Sequence, residues 1–369
     1  MSERALATIE KILSLEPIEG ADKIELAKVR GWNVVVQKGL YEVGDLVIYF
    51  EIDTMLPQDD ERFESFMSRG VRTDSEGRTG HVVKTIRLKG KYSQGLVMPV
   101  DEFADPFAYE ERPLAVGSDV TDAVGVWKWE PPIPAQLSGK VRGGLPGWVR
   151  KTDAERIQNF EDFLPLDPED FYCTEKIDGS SVTFTFKDDD FHVCSRNLDL
   201  EETEGNTFWE IAKKYHIKDF LYDMLHEYCA GNVTPDDYIT LQGEIYGEGI
   251  NGNRLGLKGH HFAAFNFESS KPIWLPYVKD GLVEGIPMVP LFGTDWDYMD
   301  DIEDVIIGPR IPAPQSVEEA LEAVDGLKSL LAKDRLAEGV VWRRKDGEDI
   351  IPGVRSLKAI SNKYLLKEK

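Results

Sequence analysis

Apolar positions between Lys23 and Pro99 recur in short alternating runs. Lys23–Val29, Trp32–Gln37 and Asp45–Phe50 each fit a half-buried strand, with turn signals at Arg30-Gly31 and Val43-Gly44. Val82–Leu88 and Gly95–Pro99 follow a polar, glycine-containing loop. Five short strands of this kind predict a small β-barrel within residues 1–125. Trp129-Glu-Pro-Pro-Ile-Pro134 through Gly143-Gly-Leu-Pro-Gly147 is rich in Pro and Gly and predicts a linker over residues 126–149. Residues 150–369 change character and alternate strands with helices. Phe191–Cys194, Phe262–Phe267 and Glu338–Trp342 read as strands. Thr207-Phe-Trp-Glu210 has capping-box spacing and opens a predicted helix to about Tyr228, with Phe208, Ile211, Tyr215 and Leu225 on one stripe. Ser316-Val-Glu-Glu319 opens a second, to about Lys333. The fold class expected is α+β: the barrel, then antiparallel sheets with helices outside.

Composition adds bounds. A chain of 369 residues suits two domains. No apolar run reaches 18 residues and the N-terminus has no signal-peptide pattern, so no membrane partner is expected. Cys173, Cys194 and Cys229 lack CxxC spacing, which argues against a disulfide framework and a zinc site and fits a reducing cytoplasm. The net charge of −24 opposes nucleic-acid binding at first sight. Its distribution changes that. Residues 1–150 hold 19 basic and 24 acidic side chains, the remainder 24 and 43. Within the first part, Arg72, Arg78, Lys84, Arg87, Lys89 and Lys91 face only Asp74 and Glu76. A local field of this sign can hold a polyanion on an acidic protein.

The chemistry-bearing segment is Phe171-Tyr-Cys-Thr-Glu-Lys-Ile-Asp-Gly-Ser-Ser-Val-Thr-Phe184. A lysine amine is a nucleophile only when deprotonated, so Lys176 needs burial or a neighbouring positive charge to lower its pKa. Asp178 shares its side of an extended chain, and Gly179 permits a turn and close backbone approach. Alone, Lys-x-Asp-Gly is more often a charged surface turn. Further elements follow in order. Arg196 in Ser195-Arg-Asn197 can grip a phosphate or ribose with its planar fork. Glu244, between glycines in Thr240-Leu-Gln-Gly-Glu-Ile-Tyr-Gly-Glu-Gly-Ile-Asn-Gly252, suits a hard metal ion or a ribose hydroxyl. Phe265 can stack on a purine or pack in the core. Glu338 leads a strand in the same way as Glu244. Ser356-Leu-Lys-Ala-Ile-Ser-Asn-Lys-Tyr364 carries Lys358 and Lys363, which can neutralise a leaving pyrophosphate or simply be solvated.

Together these elements resemble the covalent nucleotidyltransferase superfamily, and within it the ATP-dependent RNA ligases, over about residues 150–369. Lys176, Asp178 and Gly179 match the first motif, Arg196 the second, Phe265 the stacking position of the third, Glu338 the fourth and Lys358 the fifth. Glu244 matches the Gly-Glu-(Leu/Ile)-x-Gly element of RNA ligases. Lys151-Thr-Asp-Ala-Glu-Arg-Ile-Gln-Asn159 is similar to a stretch upstream of their first motif. Gly20-Ala-Asp-Lys-Ile-Glu-Leu-Ala-Lys-Val29 resembles the opening of tRNA-binding OB-fold modules, and of the N-terminal OB-fold of one RNA ligase clade. Many members carry Lys-x-Lys in the fifth motif. Here it reads Ser356-Leu-Lys358, which leaves Lys363 or Arg355 as candidates for the missing cation.

The resemblance implies an OB-fold over 1–125 and an ATP-grasp-like adenylyltransferase domain over 150–369. It implies that Lys176 takes AMP from ATP, passes it to an RNA 5′-phosphate, and is followed by sealing to a 3′-hydroxyl. Nicked RNA or RNA/DNA duplexes are the implied partners of a monomeric enzyme. Mg²⁺ or Mn²⁺ is the implied metal, with Glu244 and Glu338 as its carboxylates. Glu175, Asp178, Gly179, Arg196, Phe265 and Lys363 are the implied nucleotide contacts, beside Lys358. Lys84, Arg87, Lys89 and Arg156 are the expected RNA contacts. DNA ligases and mRNA-capping guanylyltransferases share the first motif but usually continue into a C-terminal OB-fold. Eleven residues follow Lys358 here, and the OB-like module comes first, which disfavours both. A non-catalytic RNA-binding protein is the remaining alternative, and retention of Lys176 with all the carboxylates argues against it.

Overall fold

The computed structural model describes residues 4–103, 115–130, 139–270, 285–293 and 305–367. The chain forms two compact units. One takes Met1–Ile133, Gln158–Glu161 and Leu365–Glu368, the other Pro134–Ile157 and Asp162–Tyr364.

The first unit is built of short strands. Ser14–Pro17, Ile24–Val29 and Trp32–Gln37 form one antiparallel sheet, closed between the last two by the Arg30-Gly31 turn. Ala7–Lys11 and Leu96–Pro99 flank Leu46–Phe50 in a second. The Leu46–Phe50 strand is central because both its faces are covered. Val47 and Tyr49 pack with Val29, Trp32 and Val34, while Ile48 and Phe50 pack with Ile9, Phe63 and Phe103. A third sheet orders Trp127–Lys128, Thr54–Pro57, Thr79–Val82 and Arg72–Thr73.

The run expected as a single strand over Val82–Leu88 is two. Thr79–Val82 ends, and Thr85–Leu88 pairs with Lys91–Gln94 as a separate hairpin. Ala7–Lys11 escaped the alternation pattern because Thr8 and Glu10 are buried along with Ala7 and Ile9. Glu10 is accommodated by Arg30, 3.4 Å away.

The expected linker is mostly structured where it is described. Trp127–Lys128 pairs with Thr54–Pro57, and Val141–Gly144 pairs with Leu198–Leu200. Strand pairing satisfies the backbone groups that a free linker would leave to water. Residues 131–138 lie outside the described residues. The expected catalytic region also gives up Gln158–Glu161 to the first unit. There the Asn159 side chain accepts from Trp32 Nε1 at 2.7 Å, and its carbonyl accepts from Arg30 at 2.6 Å.

The second unit holds two six-stranded sheets. The first is antiparallel throughout, in the order Val141–Gly144, Leu198–Leu200, Asp190–Cys194, Ser180–Lys187, Tyr238–Gly247 and His260–Ser269. Val182, Phe184 and Phe186 turn to one face and pack on Phe208, Ile211, Leu221 and Leu225 of two helices. Alternation sends Ser181, Thr183, Gln242 and Glu244 to the other face. The second sheet orders Glu155–Arg156, Ser356–Ile360, Gly339–Arg344, Phe171–Lys176, Leu291–Phe292 and Ile307–Gly308. Its edge pairs are parallel and its centre antiparallel. Ile177, Tyr246, Ala263, Val289 and Leu291 pack together in one apolar cluster drawn from both sheets.

The helix expected from Thr207 to Tyr228 is two, Thr207–Lys214 and Ile217–Tyr228, broken where His216 takes φ +50°. Its cap is Asn206 rather than Thr207, with the Asn side chain accepting from Phe208 N and Trp209 N. Ser316 caps Val317–Val324 as expected, accepting from Glu319 N. That helix ends at Val324 rather than Lys333. Asp325 leaves the helical region and Gly326 follows at φ +82°.

Candidate active site

Lys176 ends its strand, and in register with it Gly339 begins the neighbouring one. Glu338, just before Gly339, therefore comes level with the lysine. The Lys176 amine sits 2.8 Å from Glu338 Oε2, in a half-buried pair. Two residues on, Asp178 accepts from Asn251 Nδ2 at 3.0 Å and from the Tyr364 hydroxyl at 2.5 Å. Glu244 lies on the adjoining sheet, opposite Ser181 and Ala263. Gly179 makes this proximity possible. A Cβ there would fall 2.3 Å from the Ile245 carbonyl oxygen and 2.7 Å from Glu244 Cγ. The glycine is thus needed for close packing against the Glu244 strand rather than for a turn.

The electrostatics correct one expectation. Burial pulls the Lys176 pKa down, but Glu338, Glu244 and Asp178 pull it up, and the net shift is upward. The lysine is surrounded by carboxylates, not by cations. The carboxylates respond in kind. Burial, eased by Lys176 and reinforced by Glu338 and Asp178, pushes Glu244 up to about 8. Burial likewise raises Glu338, against the pull of Lys176. Three carboxyl groups lie in electrostatic reach of two amines, Lys176 and Lys358, and such oxygen donors suit a hard divalent cation. Among the described residues no three His, Cys, Asp or Glu side chains converge as a complete metal cage. Mg²⁺ and Mn²⁺ bound to a nucleotide keep waters and phosphate oxygens as ligands and need no such cage.

Phe265 owes its direction to a β-bulge. The register of its strand steps from Asn266 opposite Gln242 to Ala264 opposite Gly243, leaving Phe265 unpaired. The extra residue puts Phe265 and Asn266 on the same face. Phe265 packs toward the Ile177 and Tyr246 cluster, while Asn266 bonds to Gln242 at 2.7 Å. Arg343 lies over the Phe265 ring, 5.3 Å from its centre. Lys358 sits in mid-strand between Val341 and Arg156, close enough to Glu338 to offset that residue's upward shift.

Other expected contacts lie elsewhere. Glu175 is buried, and its carboxylate accepts from Leu330 N at 2.8 Å, on the opposite side of the strand from Lys176. Burial pushes its pKa up to about 7. Arg196 pairs with Asp153 at 2.8 Å. The two candidates for the missing cation are both in ion pairs, Lys363 with Asp325 at 3.0 Å and Arg355 with Asp349 and Glu268. Arg156 is only 5% exposed. So deeply placed a side chain cannot track an RNA backbone, and the expectation of surface contact there is overturned. Lys84, Arg87 and Lys89 belong to the first unit and are exposed on or beside the Thr85–Gln94 hairpin. Lys89 and Gly90 form its two-residue turn, both at positive φ.

Sequence reasoning missed Asn251, Arg254 and Tyr364. Asn251 and Tyr364 stood inside quoted motif stretches, but nothing local signals that they meet at Asp178.

Known proteins share this fold. A family model described as an OB-fold domain matches residues 6–100, and the RNA ligase family matches residues 169–360. An apo aspartate-to-alanine variant of Naegleria gruberi RNA ligase is similar at 34% identity and TM-score 0.80, covering 100% of this chain and 99% of that one. A lysine-to-alanine variant of that ligase with ATP and Mn is 35% identical at TM-score 0.78, covering 99% and 98%. The same ligase with PPi is 34% identical at TM-score 0.75, covering 99% of each chain. None of the curated proteins compared with the chain matches it. The fold is that of a covalent nucleotidyltransferase with an N-terminal OB-fold. The chain belongs to the RNA ligase family and is an enzyme of that class.

Proposed function

We propose that this ligase seals 3′-hydroxyl and 5′-phosphate ends of RNA through a lysyl-AMP on Lys176, at nicks in RNA or RNA/DNA duplexes. The observation that carries the reading is the Lys176 amine 2.8 Å from Glu338, with Asp178 and Glu244 in electrostatic reach.

Lys176, once deprotonated, attacks the α-phosphorus of ATP, and pyrophosphate leaves. An oxygen of the RNA 5′-phosphate then attacks the same phosphorus and the lysine leaves. The 3′-hydroxyl finally attacks the 5′-phosphate and AMP leaves, closing the strand. Glu244 and Glu338 would hold a Mg²⁺ or Mn²⁺. When bound, that ion supplies positive charge to the phosphate oxygens and offsets the carboxylates that hold the Lys176 proton. Phe265 stacks on adenine, Asp178 and Arg196 position the ribose or phosphate, and Lys358 steadies the departing pyrophosphate. Lys84, Arg87 and Lys89 hold the duplex backbone.

The enzyme acts as a monomer in the reducing cytoplasm, a setting that suits its three buried free cysteines. No helix among the described residues is long and apolar enough to cross a membrane.

Incubation with α-³²P-labelled ATP or GTP and Mn²⁺, followed by a denaturing gel, tests the reading. Label from ATP supports it. Label from GTP means capping chemistry, and no label means a non-catalytic RNA binder. Nicked duplexes with each strand as RNA or DNA then define the substrate.

A further inference from the structure

We propose that Tyr364 is a positioning residue, whose hydroxyl fixes the carboxylate of Asp178, with Arg254 holding Tyr364 in place. The inference rests on Asp178 being part of the nucleotide site.

An aspartate carboxylate turns about the two bonds of its single methylene, and a rotated Asp178 would present its lone pairs in the wrong direction. Both of its oxygens are occupied here. Asn251 Nδ2 donates to Oδ1 at 3.0 Å and also to the Gly179 carbonyl at 2.6 Å. Asn251 reaches both from the left-handed region, φ +44°, within a turn flanked by Gly249 and Gly252 at φ +75°. The Tyr364 hydroxyl donates to Oδ2 from the other side at 2.5 Å. Each carboxylate oxygen has two acceptor directions, so this clamp uses one per oxygen and leaves one free for substrate. A charged acceptor makes such bonds among the stronger ones.

Tyr364 is itself anchored through more than its hydroxyl. The Arg254 guanidinium stacks on the ring at 3.7 Å, and Arg254 Nη2 donates to the Tyr364 carbonyl at 2.7 Å. The ring is 5% exposed. Anchoring therefore uses the ring and the backbone, and the hydroxyl meets Asp178 and also the Arg254 side chain. Removing that one oxygen takes away the bond to Asp178 and leaves the ring stack and the carbonyl bond to Arg254 in place.

The experiment compares wild type, Tyr364→Phe, Asp178→Asn and the double variant. It reads single-turnover lysyl-AMP formation at saturating ATP and Mn²⁺, followed over hours, and Tm. Tyr364→Phe should slow adenylylation about tenfold, the loss of one hydrogen bond to a charged group, with Tm unchanged. Asp178→Asn should be slow, and adding Tyr364→Phe to it should slow it no further. Wild-type rates in Tyr364→Phe, or losses that multiply in the double variant, overturn the inference. A wild type that forms no lysyl-AMP, or a Lys176→Ala protein that still forms an adduct, instead defeats the reading of the site on which the inference stands.

Discussion

Lys176 Nζ and Glu338 Oε2 are 2.8 Å apart across two neighbouring antiparallel strands, 162 residues apart in sequence. The pair stabilises the protonated amine, which cannot attack phosphorus. The same carboxylate that the resemblance assigns to the metal is thus also the one that holds the nucleophile's proton. Replacing Glu338 by Gln removes the attracting charge and lowers the Lys176 pKa. Competitive acylation at pH 8 without metal or ATP should show Lys176 labelled faster in Glu338→Gln than in wild type. Adenylylation should nonetheless fall at least tenfold, because the charged contact to the metal goes too. Equal or slower labelling would mean that Glu338 does not control the amine.

Glu175 carries a stability prediction with a definite sign. Its pKa rises from 4.5 to about 7 in the fold, chiefly through burial. The folded state therefore favours the protonated acid. This contribution is fully present below about 4.5 and is lost as pH rises through about 7. Glu175→Gln keeps the acceptor for Leu330 N and removes the titration. Its stability relative to wild type should rise by about 2 kcal/mol between pH 5 and pH 8, measured by urea unfolding. The same difference at both pH values would show that Glu175 is not titrating from a buried site.

Lys358 should be selective among the steps. Its place beside Glu338 suits a charge on the departing pyrophosphate. Lys358→Ala should slow reaction with ATP at least tenfold more than sealing of a pre-adenylated nick. Equal loss in both assays would make the lysine structural or common to all steps.

The hairpin of the first unit should govern RNA affinity. Lys84 is exposed, and its pKa is lowered first by partial burial and then by the neighbouring Arg72, against the pull of Asp53. Arg87 lies over the Tyr92 ring at 5.3 Å. Reversing the charge at Lys84, Arg87 and Lys89 should weaken binding to a nicked duplex. It should also flatten the log–log salt dependence by roughly one unit per lost phosphate contact. Lysyl-AMP formation should be unaffected. Unchanged affinity and slope would make this cluster a solubilising surface.

Much of this arrangement could be read from the chain because the key side chains sit in local motifs on strands. Lys176, Asp178, Gly179, Glu244 and Glu338 were identifiable from residue type and strand context, and the fold brings them together. What escaped is non-local. The Tyr364–Asp178 bond joins residues 186 apart, and neither neighbourhood announces it. The bulge that aims Phe265 depends on a register slip against Gln242, which a single strand cannot reveal. Lys176 was expected to have a lowered pKa, as a nucleophile needs, but Glu244 and Glu338 reach it from two distant segments and raise it. Arg156 looked like a surface cation until pairing with the Lys358 strand buried it. The break at His216 has no Gly or Pro to mark it.

Whether Lys176 stores the nucleotide is read out by mass spectrometry. The protein is incubated with ATP and Mn²⁺, its intact mass is measured, and the adduct is located by peptide mapping. One acid-labile AMP per chain is expected, on the peptide containing Lys176, and none in Lys176→Ala. AMP on any other residue, or an adduct of the same stoichiometry in the alanine variant, would contradict it.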